Sequence, residues 1–300
     1  MLKDEAVRDR IKVLLQTTIP ATADDWSIAR FSRLGALLRD QRDAEGRPVF
    51  QVTMRDRDTP GAPDSFLSTL DRTDFDEMWL FAVDTGDGLT IEDCEAIARF
   101  RRNGGGLLVT RDHMDLGSSV CTLGGVGNAH YFHSRNPDPD VANRMIDDPY
   151  TSYISWPNFH SGANGDFQEI AVAGSAHPVL AGSASPIIRF LPSHPHEGAV
   201  GAPDGEDARV IATGVSKVTG RRFNIAVAFE PGAKGGPAIA QSTFHHFADY
   251  NWDTRLGAPS FVDEPPGDAI MRTPEAMADT HRYVLNTAYW LAGRANPNAG

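Results

Sequence analysis

Two cysteines, Cys94 and Cys121, are all that the 300 residues contain. That count excludes a disulfide framework and every zinc spacing built on cysteine pairs. Basic residues are also scarce: 28 Lys and Arg stand against 40 Asp and Glu, a formal net charge of −12. A surface that tracks phosphates needs clustered positive charge, so neither nucleic acid nor an anionic membrane is an expected partner. Arginines that do cluster, such as Arg99, Arg101 and Arg102, mostly have acidic neighbours and read as solvated faces. No apolar run approaches the roughly 20 residues that span a bilayer. The start, Met-Leu-Lys-Asp-Glu, lacks the apolar stretch of a secretory signal, so a cytoplasmic protein is expected. A phosphate loop is missing too, because Gly104–Gly106 ends a helix and leads into a strand, the reverse of what such a loop needs. With no internal repeat and no linker composition, a single domain over residues 1–300 is expected.

What the chain does have is an alternation of apolar strands and amphipathic helices. Ile11–Gln16, Val49–Met54, Phe75–Val83 and Leu107–Thr110 read as strands. Phe31, Leu34, Gly35 and Leu38 recur at helical spacing behind a cap at Asp24 or Asp25. Thr90 opens a second helix, with Asp93 placed for a capping box and Ile91, Cys94, Ile97 and Ala98 as its inner stripe. This order predicts an α/β domain with a mostly parallel sheet. Residues 117–164 are irregular and longer than an ordinary connection, which predicts a pocket wall or lid. Patterning returns at Val179-Leu180, Ile187–Leu191 and Arg209–Ala212, and Arg221–Glu230 forms a hairpin with Ala238–Gln241. A last helix opens at Thr273-Pro274 and turns Met277, His281, Val284, Ala288 and Leu291 inward.

Chemistry-bearing residues concentrate outside these elements. Ser242–Trp252 packs two His, one Asp, one Asn and four aromatic rings into eleven residues. His245 and His246 are catalytic candidates. On a strand they would face opposite ways, so one reaches the site while the other orients or packs. Asp249 or Asn251 would fix a tautomer, and Trp252 would add to the binding wall. Asp112 and His113 offer a carboxylate and an imidazole for proton transfer near neutral pH. In His194-Pro-His196-Glu197 the two imidazoles can contact substrate or, with His245, hold a divalent metal, while Glu197 can act as acid or base. His130 and His133 would share one face of a helix and line the pocket. His177 and His281 read as structural, while His160, near Trp156 and Phe159, is open to either reading.

Four segments, in order, carry a family resemblance: Glu92–Val109, Ala176-His-Pro-Val-Leu-Ala-Gly182, Gly220–Val227 and Tyr283–Arg294. Through them the chain resembles the class I glutamine amidotransferase-like superfamily, nearest its trehalose-utilisation (ThuA-like) branch. The resemblance implies a flavodoxin-like, doubly wound sheet with helices on both faces and ligands outside the carboxyl ends of the strands. That edge would carry Thr17–Trp26, Arg55–Asp58, Asp84–Asp87 and Arg111–Gly117. The superfamily's nucleophile turn here reads Thr110-Arg-Asp-His-Met-Asp-Leu-Gly117, without cysteine, so glutaminase activity is not expected. The branch's own His falls near Arg111, whereas this chain has His113.

The resulting expectation is a hydrolase, lyase or isomerase acting on a small polar, sugar-derived molecule by His/carboxylate acid–base chemistry. Two alternatives stay open: a non-catalytic binding or regulatory protein, and a metal-dependent hydrolase. No organic cofactor is implied. A divalent metal and a homo-oligomer are both compatible with the sequence.

Overall fold

The computed structural model describes residues 10–147, 153–181 and 186–297. Its frame is one eight-stranded sheet. In chain order the strands are β1 (Ile11–Pro20), β2 (Phe50–Arg57), β3 (Glu77–Phe81), β4 (Gly106–Thr110), β5 (Ala171–Val172), β6 (Ala208–Val215), β7 (Arg222–Phe229) and β8 (Ala238–Gln241). They lie side by side as β2-β1-β3-β4-β8-β7-β6-β5. The first five in that row are parallel to one another, and the remaining pairings are antiparallel.

The inner strands β3, β4 and β8 are buried along their whole length because both faces are covered, whereas the edge strand β2 carries polar, partly exposed residues. On β1, Val13 and Leu15 join a core with Leu34 and Leu38 of helix α1 (Ser32–Arg39) and Val284 and Ala288 of helix α3 (Pro274–Leu291). Leu14 points the other way, into a core with Cys94, Ile97 and Phe100 of helix α2 (Ile91–Arg102). This is the expected α/β architecture, a large, mostly parallel sheet clothed on both faces. No helix among the described residues is long and apolar enough to cross a membrane.

Local differences from the sequence reading have physical causes. β1 continues to Pro20 instead of ending at Gln16, since Thr18 Oγ1 accepts from the Val83 and Asp84 amides at 2.9 and 3.2 Å. Neither Asp24 nor Asp25 caps the first helix. Asp249, 217 residues away, does so, accepting from Ser32 N at 3.0 Å and Arg33 N at 2.8 Å. Ile91 leaves the inner stripe of α2 and is 65% exposed, while Asp93 turns in to complete the capping box with Thr90. Val179-Leu180 lies in a turn, and Ile187–Leu191 yields only a short strand, Phe190–Pro192, paired with Phe167–Glu169. The irregular stretch after β4 winds through two 3₁₀ turns, Ser118–Leu123 and Gly125–Ala129. It then pairs His130–Tyr131 with Ala199–Val200.

Candidate active site

Parallel pairing decides which loops meet. Thr17, Phe81, Thr110 and Gln241 stand opposite one another at the carboxyl ends of β1, β3, β4 and β8. The chain leaving β4 therefore runs beside the chain leaving β8. Asp112 comes from the first, and Thr243 and His245 from the second. Thr243 Oγ1 donates to Asp112 Oδ1 at 2.8 Å and also accepts from the His245 amide at 3.1 Å, starting the 3₁₀ turn Phe244–His246. His194 arrives on the loop after Phe190–Pro192, where its amide donates to Ser161 Oγ at 2.9 Å.

These residues floor a cavity of about 400 Å³. His194 and His245 stack with ring centroids 3.6 Å apart and planes 10° from parallel. Their Nε2 atoms lie 3.4 and 3.7 Å from Asp112 Oδ1 and Oδ2. Asn164 Oδ1 meets His194 Nδ1, and Asn251 Oδ1 meets His245 Nδ1, each at 2.9 Å. Burial holds both imidazoles well below the usual histidine pKa, and neighbouring imidazoles add to the effect. One ligand atom each from Asp112, His194 and His245 falls within 4.8 Å of the others, so one cation could touch all three.

The cavity wall adds His113, whose Nε2 is 3.7 Å from Asp112 Oδ2, and His196, whose Nε2 is 3.6 Å from Glu264 Oε1. Trp26 packs edge-on to His245 at 4.7 Å. Tyr153 and Phe261 reach the mouth, 73% and 57% exposed. Asp25, Asp112 and Glu264 are the charged lining residues, and no Lys or Arg joins them among the described residues.

Other expected site residues go elsewhere. Glu197 lies behind the floor, fully buried, accepting from Ser161 Oγ at 2.5 Å, Ser242 Oγ at 2.7 Å and Gln168 Nε2. His246 joins that set: its Nδ1 meets Gln241 Nε2 at 2.7 Å and its Nε2 stands 3.4 Å from Glu197. The two adjacent histidines thus face different surroundings, His245 the cavity and His246 the buried set behind it, across a 3₁₀ turn and not a strand. Of the two residues expected to fix a tautomer, Asn251 contacts His245, whereas Asp249 is spent on capping α1. Trp252 Nε1 donates to His246 O at 2.9 Å from behind the wall. His130 is buried with neither ring nitrogen hydrogen-bonded, and burial lowers its pKa to about 3. His133 packs on Trp156 at 4.9 Å, outside the cavity wall. His130 and His133 do not share a helical face, because His130 lies in a short strand.

Sequence reasoning gave no individual role to Asn164, Ser161, Thr243 or Glu264, although the first three lie in segments it singled out. Each is an ordinary loop residue with no periodic or motif signal, and its role depends on partners far along the chain. Neither cysteine is an activated nucleophile: burial pushes Cys94 up to about 12 and Cys121 up to about 11.

No family model matches the chain, and no curated protein matches it in sequence. Among solved structures it is similar to the glutaminase domain of Trypanosoma brucei CTPS with bound acivicin, at 14% identity and a TM-score of 0.49 over 95% of each chain. It is also similar to a ThuA-like protein from Bacteroides uniformis, at 12% identity and a TM-score of 0.44, covering 95% of this chain and 96% of that one. A third is the mmIFT52 N-terminal domain, at 11% identity and a TM-score of 0.47, covering 89% and 97%. At these levels the likenesses assign no activity to the chain.

Proposed function

We propose that this chain is an enzyme acting on a small, polar, uncharged molecule held in the cavity above Asp112, His194 and His245. The observation that carries the reading is the convergence of two neutral imidazoles and one carboxylate on the floor of an open cavity. Burying such groups together costs stability, and a purely structural cluster would hydrogen-bond them to one another. His113 and His196 stand on the walls above this floor, within reach of a bound molecule, and serve as proton-transfer groups.

The lining also bears on the substrate. Three carboxylates and no lysine or arginine disfavour phosphorylated or carboxylated molecules. Trp26, Tyr153 and Phe261 supply flat apolar faces, which suit a polyhydroxylated ring with one face of C–H groups. A sugar derivative fits both demands. Hydrolysis, elimination and isomerisation all use proton transfer of this kind.

The test is an untargeted metabolite screen with purified protein, followed by kinetics on any molecule consumed. Loss of turnover in His113→Ala and His196→Ala is expected, with the fold intact by circular dichroism. Tight binding of a metabolite that is never converted would instead identify a binding protein and overturn the reading.

A further inference from the structure

The floor of the cavity has more acceptors than donors, and the amides around it show why. Asn251 Nδ2 donates to Ser193 O at 3.0 Å and to Asn164 Oδ1 at 2.9 Å. A backbone carbonyl can only accept, so the Asn251 amide is fixed and its Oδ1 is what His245 Nδ1 meets. Asn164 Oδ1 already accepts from Asn251, and it accepts from His194 Nδ1 as well. Both imidazoles therefore carry their proton on Nδ1 and present Nε2 as a lone pair. Those lone pairs face the oxygens of Asp112 at 3.4 and 3.7 Å. His194 Nε2 is buried without a hydrogen-bond partner. Three acceptors pointing at one another repel unless a cation sits among them.

We propose that Asp112, His194 and His245 bind one divalent first-row transition-metal ion of the Zn²⁺ or Fe²⁺ type. Its ligands are two imidazole nitrogens and one carboxylate oxygen, and its remaining positions open to the cavity. Ligands held about 2.0–2.2 Å from such an ion stand roughly 3.4 Å apart in tetrahedral geometry. His194 Nε2 stands at that distance from Asp112 Oδ1, His245 Nε2 lies 3.7 Å from the other oxygen, and all three ligand atoms fall within 4.8 Å of one another. Two neutral nitrogens with a single carboxylate suit these borderline metals better than Ca²⁺ or Mg²⁺, which take oxygen-rich sets. An Nδ1–H donated to an amide or carboxylate oxygen is the usual outer support of a ligating histidine. Loading the ion must splay the stacked rings so that it lies in both ring planes. Trp26, edge-on to His245, is placed to report that movement.

The site deepens the enzymatic reading and rests on its choice of cavity. A metal there would supply Lewis acidity and an acidified water, with His113 and His196 left for proton transfer.

The experiment uses the full chain, purified without metal-affinity resin, stripped with chelator and titrated separately with Zn²⁺, Fe²⁺ (anaerobically) and Mg²⁺. Calorimetry and tryptophan fluorescence read the binding. One equivalent of Zn²⁺ or Fe²⁺ per chain is expected, with no saturable response to Mg²⁺. His245→Ala and Asp112→Asn should each weaken uptake at least 100-fold, and Asn251→Ala about 10- to 100-fold. Asp112→Asn keeps the shape of the side chain and decides the matter should His245→Ala fail to fold. Absence of stoichiometric uptake, or uptake unchanged in Asp112→Asn, overturns the metal site. Turnover by metal-free protein also overturns it while leaving the enzymatic reading intact. Stoichiometric metal without turnover of any screened metabolite supports the site and counts against the enzyme.

Discussion

His245 and His246 are neighbours in the chain, both buried, and they belong to opposite kinds of environment. His245 gives its Nδ1 proton to Asn251 and turns a bare Nε2 to the cavity and Asp112. His246 meets Gln241 Nε2 with its Nδ1 at 2.7 Å, and its Nε2 lies between Gln168 Nε2 at 3.2 Å and Glu197 Oε1 at 3.4 Å. The same division runs through His196 and Glu197, one on the cavity wall and the other behind it. Behind the floor the carboxylate is answered by donors: Glu197 takes hydrogen bonds from two hydroxyls and an amide, and Gln241 takes one from Tyr283 OH at 2.6 Å, although Gln168 Oε1 has no partner. In front of it, acceptors face acceptors. A satisfied network rigidifies, whereas an unsatisfied one is a cost that binding or chemistry must offset. Polar residues of the same type, one position apart, can therefore serve stability and function separately.

That contrast can be broken by mutation. The largest effect belongs to the rear set: Glu197→Ala strands Ser242 Oγ, takes one of two acceptors each from Ser161 and Gln168, and is expected to cost about 3–5 kcal/mol. Urea denaturation measures it, and a loss under about 1 kcal/mol would show that the network does not hold the floor. In front, Asp112→Asn should lower turnover at least about 100-fold, worth about 2.7 kcal/mol of barrier. Its unfolding midpoint should stay close to that of the parent, since the Thr243 hydrogen bond can survive. A drop in stability matching that of Glu197→Ala would erase the distinction between the two sets.

His130 sharpens the comparison because it belongs to neither set. It is neutral when folded, with a pKa lowered to about 3, whereas the unfolded chain protonates it near 6.5. The unfolded state thus binds more protons below that pH, and stability is lost as pH falls from about 6.5 toward 3. One such group withdraws about 1.4 kcal/mol per pH unit within that window. In His130→Leu the slope of unfolding free energy against pH should be shallower by that amount, and an unchanged slope would refute the assignment. The smallest effect is expected from Tyr283→Phe, about 1 kcal/mol for one buried hydrogen bond to Gln241. Thermal unfolding would detect it.

Much of this was legible in the sequence, for identifiable reasons. The strand-helix alternation up to Thr110 follows from local apolar spacing, and the capping box at Thr90 from two residues three apart. Asp112, His194 and His245 stood out as polar side chains dense in otherwise irregular segments. What the sequence could not display was their meeting. Asp112 and His245 are joined only because β4 and β8, far apart in the chain, are parallel neighbours. The cap that Asp249 lends to α1 and the Asn164–Asn251 amide pair are illegible for the same reason, since each half is unremarkable without its distant partner. Glu197 drew attention as a carboxylate beside two histidines, and only packing reveals that it turns away from them.

The placement of β8 has one more consequence. It is the last strand in chain order, yet it is seated in the middle of the sheet, between β4 and β7. A ribosome-bound chain that has emerged only through β7 already contains Asp112 and His194, but lacks the strand that carries His245 to them. Such long-range closure is slow, because loop entropy is lost before the contacts form. The cavity floor is thus among the last parts to assemble, and an incomplete chain does not hold Asp112, His194 and His245 together.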